Sequence, residues 1–199
     1  MTRENEKKHL RDLHISHRKA ISPKQQSHAA VNLAKSARGF KPLLNCRRVL
    51  SYSPVAGEID PSILLSSLNS DVYLPRIMNY QKGLMQFFKA NPSNTNLPTD
   101  LNANAFGIDE PSSKKPRLAA KHFDVVLMPL ISFDREGNRL GMGAGFYDRS
   151  FSFRNQTQHL KRPLLVGLAH HSQETKSIIS DPWDVSLDAI ITDRELILL

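Results

Sequence analysis

Cysteine is almost absent from this chain: Cys46 stands alone among 199 residues, so no internal disulfide can form. A reducing compartment is expected, with Cys46 acting as a small buried apolar residue. No apolar run approaches the roughly 20 residues that span a bilayer. The charged start, Met1 to Lys8, lacks the apolar stretch of a secretory leader. The basic N-terminal segment has no interleaved aromatics, which tells against a nucleic-acid-binding module. Acidic side chains are outnumbered, 19 against 27 Lys and Arg, and the net charge of +8 favours anionic ligands without naming one. These absences leave a soluble, cytoplasmic protein with no membrane and no nucleic-acid partner. No internal repeat or linker divides it, so residues 1–199 are expected to form a single domain, here taken as a monomer.

What is there reads as an α/β protein. Asn5 to Ala20 has the spacing of a basic helix with Leu10, Leu13 and His17 on one side. Ser22-Pro23-Lys24-Gln25 carries the residues of a capped helix start, and Gly39 ends that helix. Short apolar runs at Val49 to Ser53, Val72 to Pro75, Leu84 to Lys89, Val125 to Met128, Pro163 to Ala169 and Leu187 to Thr192 have the character of strands. Asp60-Pro61 starts another short helix, and the polar stretch Asn91 to Asn104 reads as loop. Strands alternating with helices predict a mostly parallel central sheet flanked by helices, a Rossmann-like three-layer sandwich.

Between the fourth and fifth of these runs lies Arg139-Leu140-Gly141-Met142-Gly143-Ala144-Gly145-Phe146-Tyr147-Asp148-Arg149. Three of the chain's nine glycines stand here at alternate positions. A loop so free of Cβ atoms can gather N–H groups around an anion, and the residues after it suit a helix whose N-terminus adds its dipole. Arg139 and Arg149 bracket it with positive charge, and Asp148 offers a hard oxygen for Mg²⁺. The glycine spacing is neither a dinucleotide fingerprint nor a P-loop, and on spacing alone the loop could be a tight connection. After the first strand, Glu58 stands either where α/β sheets bind ligands or, as loop acids more often do, simply in solvent. His170-His171 lacks cysteine or acidic partners at ligand spacing and reads as a strand-end turn.

The segment Asp124-Val-Val-Leu-Met-Pro-Leu-Ile-Ser-Phe-Asp134, with Gly137-Asn-Arg-Leu-Gly-Met-Gly-Ala-Gly-Phe-Tyr-Asp-Arg149, closely resembles the signature of the 5-formyltetrahydrofolate cyclo-ligase family. The resemblance implies ATP- and Mg²⁺-dependent closure of a small-molecule substrate, 5-formyltetrahydrofolate, to the 5,10-methenyl form. It implies that Lys7, Lys8 and Arg11 contact ATP together with residues Arg139, Leu140, Gly141, Met142, Gly143, Ala144, Gly145, Phe146 and Tyr147. Arg139 and Tyr147 are then the catalytic candidates, and Glu58, Tyr52, Met142 and Phe146 the folate contacts. Asp148 and Asp188 are implied as the Mg²⁺ ligands, and Gly107 to Pro111 and Gln173 match further family positions. Relatives more often have Tyr at Phe146 and Gly or Lys at Ala144. A sugar-phosphate isomerase or CoA-transferase-like enzyme, with Glu58 as base and no need of ATP, is the rival reading.

Overall fold

The computed structural model describes residues 2–90, 101–156 and 162–199. Helices α1 (Arg3–Lys19), α2 (Pro23–Ser36) and the short α3 (Lys41–Leu44) lead into strand β1 (Arg48–Leu50) and helix α4 (Ser62–Ser66). Then come β2 (Asp71–Asn79), β3 (Leu84–Lys89), β4 (Leu101–Ala103), β5 (Asp109–Pro111), β6 (Arg117–Leu118), β7 (Val125–Pro129), β8 (Ser132–Phe133) and β9 (Arg139–Leu140). Helices α5 (Phe146–Phe151) and α6 (Phe153–Gln156) precede β10 (Leu164–Ala169), β11 (Ala189–Thr192) and β12 (Leu196–Leu198).

Eight strands form one sheet in the order β12-β11-β10-β7-β1-β2-β3-β6. The run from β11 to β2 is parallel, and β12 at one edge and β3 and β6 at the other are antiparallel. Side chains of a strand alternate between faces, and a sheet covered on both sides needs apolar residues at every position. The central strands meet that demand. Val125 and Leu127 of β7, Val166 and Leu168 of β10, and Ala189 and Ile191 of β11 share one core with Ala29 and Leu33 of α2 and Leu64 of α4. Their neighbours Val126, Met128, Leu165 and Ile190 face the other way, into a core with Phe151 of α5, Phe123 and Phe133. Two cores on opposite faces make the three layers. Ser22 and Gln25 form a reciprocal capping box at the start of α2, the turn chemistry the sequence carries.

Two segments depart from expectation. Residues 101–103 of the polar stretch are not loop: they form β4, paired antiparallel with β5, while residues 91–100 lie outside the described residues. Helix α1 turns its polar side inward. His14 and Arg18 are its buried residues, whereas Leu13 and His17 are exposed. The reason is what α1 meets: it packs on β8 and the turn at His171–Gln173, where strand ends present carbonyl oxygens rather than apolar side chains.

Candidate functional site

The parallel strands end on one side of the molecule, and a cavity of about 1330 Å³ opens there. It exceeds the roughly 300–1,000 Å³ of a typical single-ligand pocket. Its walls are residues 52–58 after β1, residues 129–131 after β7, and the glycine loop between β9 and α5. All three walls are connections leaving carboxyl ends or hairpin ends, so each is fixed by a strand and free to be irregular.

At one end the wall is polar and charged. Gly143 and Gly145 take φ of 97° and 65°, left-handed backbone that only glycine adopts cheaply. Arg11 lies across the loop: its Nε donates to the Gly141 carbonyl at 2.9 Å, and a Cβ at Gly143 would sit 3.7 Å from its guanidinium carbon. Lys7, one turn earlier on α1, donates to Asp181 at 2.6 Å and Asp184 at 3.2 Å. Arg149 folds back over Gly145 and donates to the Ala144 carbonyl. Arg139 is nearly buried and donates to Asp148 at 2.7 Å and to the Val185 carbonyl at 2.7 Å. Leu140 is buried in β9, and Met142 stands 64% exposed at the tip of the loop.

The other end is aromatic and apolar, with two acids, Glu58 and Glu110, and Glu110 already accepts from the Ile77 N–H and from Asn104, each at 2.8 Å. Tyr80 stacks on Phe106 at 4.7 Å between centroids, and Phe146 meets Tyr80 edge-on at 5.7 Å. Glu58 faces this region with its side chain only 9% exposed. Burial pushes its pKa up, opposed by the Val55 N–H that donates to it and by Arg18. The Tyr147 phenol beside it is pushed up by burial and by the Glu58 charge, so it stays protonated and can donate. Tyr52 is buried, and its hydroxyl is already committed to the Ile59 carbonyl at 2.7 Å.

Most residues singled out in the sequence therefore reach one cavity: Lys7, Arg11, Tyr52, Glu58 and all of Arg139 to Asp148 line it. Two do not. Lys8 points away from the cavity as an exposed side chain on the outer face of α1. Asp188 flanks the amino end of β11, opposite to the side where the cavity opens, and its carboxylate accepts from Arg154 at 2.8 Å and the Leu165 N–H at 2.7 Å. It is paired with Arg154 and does not line the cavity where Asp148 stands, so the structure does not bring the two expected metal ligands together. The aspartates that do line the cavity besides Asp148 are Asp181 and Asp184. They belong to the Asp181-Pro-Trp-Asp184 turn, which sequence alone marks only as a turn. Tyr80 and Phe106 also escaped sequence reading, since isolated aromatics carry no spacing signal. His171 does come together with Glu174 and Glu195, but Arg135 bridges both glutamates at 2.7 and 2.6 Å.

Comparison with known proteins gives one consistent result. A model of the 5-formyltetrahydrofolate cyclo-ligase family matches residues 3–193. The 5-formyltetrahydrofolate cyclo-ligase of Haemophilus influenzae is 33% identical over 171 residues, covering 84% of this chain and 87% of that protein. Its namesake in Escherichia coli is 31% identical over 183 residues, covering 90% and 96%. Among solved structures, the 5,10-methenyltetrahydrofolate synthetase of Aquifex aeolicus superposes with a TM-score of 0.77 at 25% identity, covering 97% of this chain and 92% of that one. The Mycoplasma pneumoniae synthetase shares the fold, with a TM-score of 0.68 at 22% identity over 94% and 99%.

Proposed function

The chain belongs to the 5-formyltetrahydrofolate cyclo-ligase family, and from that premise we propose that it closes 5-formyltetrahydrofolate to 5,10-methenyltetrahydrofolate at the expense of ATP. The observation that carries this reading is the two-ended cavity. Cations and a glycine loop stand at one end, and an aromatic wall with the enclosed acids Glu58 and Glu110 at the other, in a space large enough for two ligands.

The charged end takes the triphosphate. Arg11 and Lys7 neutralise its oxygens, and the loop from Gly141 to Gly145 lets them approach the backbone closely. The aromatic end takes the folate, with Phe106, Tyr80 and Phe146 against its flat rings and Glu58 accepting from the pterin's N–H donors. The formyl oxygen then attacks the γ-phosphorus, breaking its bond to ADP and giving an imidoyl phosphate. N10 adds to the activated carbon and gives up its proton, and the C–O bond breaks to release phosphate. The protein's share is alignment and electrostatic neutralisation. Tyr147, kept protonated, supplies a hydroxyl donor at the junction of the two ends.

Magnesium fits this donor set, because the carboxylates of Asp181 and Asp184 already converge on one cation, the Lys7 ammonium. When bound, it would neutralise phosphate charge and align the triphosphate. Asp148, Asp181 and Asp184 are the residues to hold it. The test is direct: purified protein, 5-formyltetrahydrofolate and MgATP, with the methenyl product followed by its near-ultraviolet absorbance. Absence of product from folded protein, with each component verified, sinks the reading. Product formed equally well without nucleotide would remove ATP from the reaction.

A further inference from the structure

Arg18 ends the inward face of α1 and is only 1% exposed. A guanidinium leaves water at a cost that only partners can offset. It has two of them. Its Nη1 donates to the Leu130 carbonyl at 3.3 Å, just beyond β7, and lies 3.8 Å from Oε1 of Glu58, beyond β1. Glu58 lines the cavity and Arg18 does not, so the guanidinium stands behind the carboxylate, away from any ligand.

The rest of the Glu58 loop is held with it. The Gly57 carbonyl accepts from Gln26 at 3.0 Å and meets Nε2 of His170 at 3.2 Å. The second Glu58 oxygen accepts from the Val55 N–H at 3.1 Å. At φ 78° the Gly57 backbone passes so close to α1 that a Cβ there would lie 3.1 Å from the Arg18 carbonyl oxygen. A loop pinned on this many sides has little freedom to aim its carboxylate elsewhere.

We propose that Arg18 is a positioning residue for the folate end: it holds Glu58 as a carboxylate directed into the cavity and touches no substrate itself. This rests on the reading of Glu58 as the folate contact. A pterin presents a ring N–H beside an amino group, and a carboxylate is the acceptor-only group that meets both. Without a cation behind it, a carboxyl as enclosed as Glu58 takes up a proton, and one acceptor becomes a donor facing a donor. The groups around Glu58 are Arg18 from α1, Tyr52 after β1, Tyr147 of α5 and, next to Gly57, His170 after β10. Both phenols stay neutral through burial, and Arg18 is the cation whose charge acts on Glu58.

The test compares Arg18→Met, Arg18→Lys, Glu58→Gln and the Arg18→Met/Glu58→Gln pair. For each, KM for 5-formyltetrahydrofolate and for ATP is measured between about pH 6 and about pH 9. Arg18→Met should raise the folate KM roughly tenfold near neutral pH and leave the ATP KM within about twofold. That penalty should shrink as pH rises and Glu58 ionises, and it should vanish in the Glu58→Gln background. Arg18→Lys, keeping the charge without the fork, should give a smaller selective rise. Equal rises in both KM values, a penalty that ignores pH, or one that persists with Gln at position 58 overturns the proposal. Glu58→Gln with an unchanged folate KM would instead remove the reading beneath it. If Arg18→Met does not fold, Arg18→Lys decides, and unchanged or equally raised KM values there count against the proposal.

Discussion

Arg139 and Asp148 are bonded at 2.7 Å across the base of the glycine loop, and both also grip Val185. Arg139 donates to the Val185 carbonyl at 2.7 Å, and Asp148 accepts from its N–H at 3.1 Å. The two ends of the loop are thus tied to each other and to the segment that carries Asp181 and Asp184. Arg139, read from the sequence as a phosphate ligand, has both terminal nitrogens engaged by protein partners here. Removing one partner of so enclosed a pair strands the other. Arg139→Met or Asp148→Asn should each cost roughly 2 kcal/mol of unfolding free energy, discounted for the partial exposure of Asp148. The double variant should be clearly less than additive in urea unfolding. Full additivity would dissolve the pair as a unit.

The loop itself should be sensitive to any side chain at its left-handed position. Gly143 has φ 97°, and a β-branched residue there is strained by more than about 1 kcal/mol although its Cβ would make only ordinary contact with Arg11. Gly143→Val should therefore fold but raise the KM for ATP at least tenfold, because the backbone must leave the conformation that phosphates meet. Unchanged ATP kinetics would show the loop to be only a connection.

Lys7 holds two carboxylates that repel one another. With Lys7→Met, Asp181 and Asp184 keep their places but lose their cation. The variant should bind ATP more weakly, and without nucleotide its melting temperature should rise on adding Mg²⁺ more than that of the parent. A melting temperature that ignores Mg²⁺ in both proteins would remove these aspartates from the metal site.

Asp188 should behave as a latch. Asp188→Asn ought to lose roughly 1–3 kcal/mol of stability, since Arg154 would be left with half its partner. The Mg²⁺ concentration for half-maximal rate should not move. An increased Mg²⁺ requirement would restore the sequence-based assignment.

Acid should weaken the fold through histidine. His14 and His170 are buried, and burial above all pulls their pKa below the usual range; His17 adds to this at His14, while Asp193 and the Gly57 carbonyl oppose it at His170. A depressed folded pKa means that the unfolded chain binds the proton more readily. This stability is complete above the unfolded value of 6.5 and is lost as pH falls from there through the folded values. The slope is at most about 1.4 kcal/mol per pH unit for each histidine. Glu58, raised by burial, works in the opposite direction as pH falls toward 4.5. Urea unfolding of the parent and of His170→Gln at about pH 8 and pH 5.5 separates the contributions. Identical pH profiles for the two proteins would exclude His170 as a source.

How much of this was legible depended on whether the signal was local. The central strands, the capping box at Ser22 and the glycine loop are written in neighbouring residues, and the sequence-based reading of them agrees with the fold. The inward face of α1 was misread because periodicity favours Leu10 and Leu13, whereas the surface that α1 meets offers carbonyls and acids to Lys7, Arg11 and Arg18. Asp188 misled for a related reason. An aspartate before a strand looks the same in sequence whichever end of the sheet it decorates. Asp184, four residues earlier, reaches the cavity because the turn at Pro182 carries it back toward α1, a relation that only folding reveals.

Lys7 and Asp181 are 174 positions apart in sequence, yet they share one hydrogen bond at the charged end of the cavity. Arg18 and Arg11 of α1 find their partners at Leu130 and Gly141, but Lys7 of the same helix has its acids only much later in the chain. Contacts of such span are entropically costly to close and tend to form late in folding. A nascent chain stalled after β10 would carry the glycine loop, Lys7 and Arg11 without the acidic turn that orders Lys7. The Lys7 ammonium and the Asp181-Asp184 turn thus order one another only once both segments are in place.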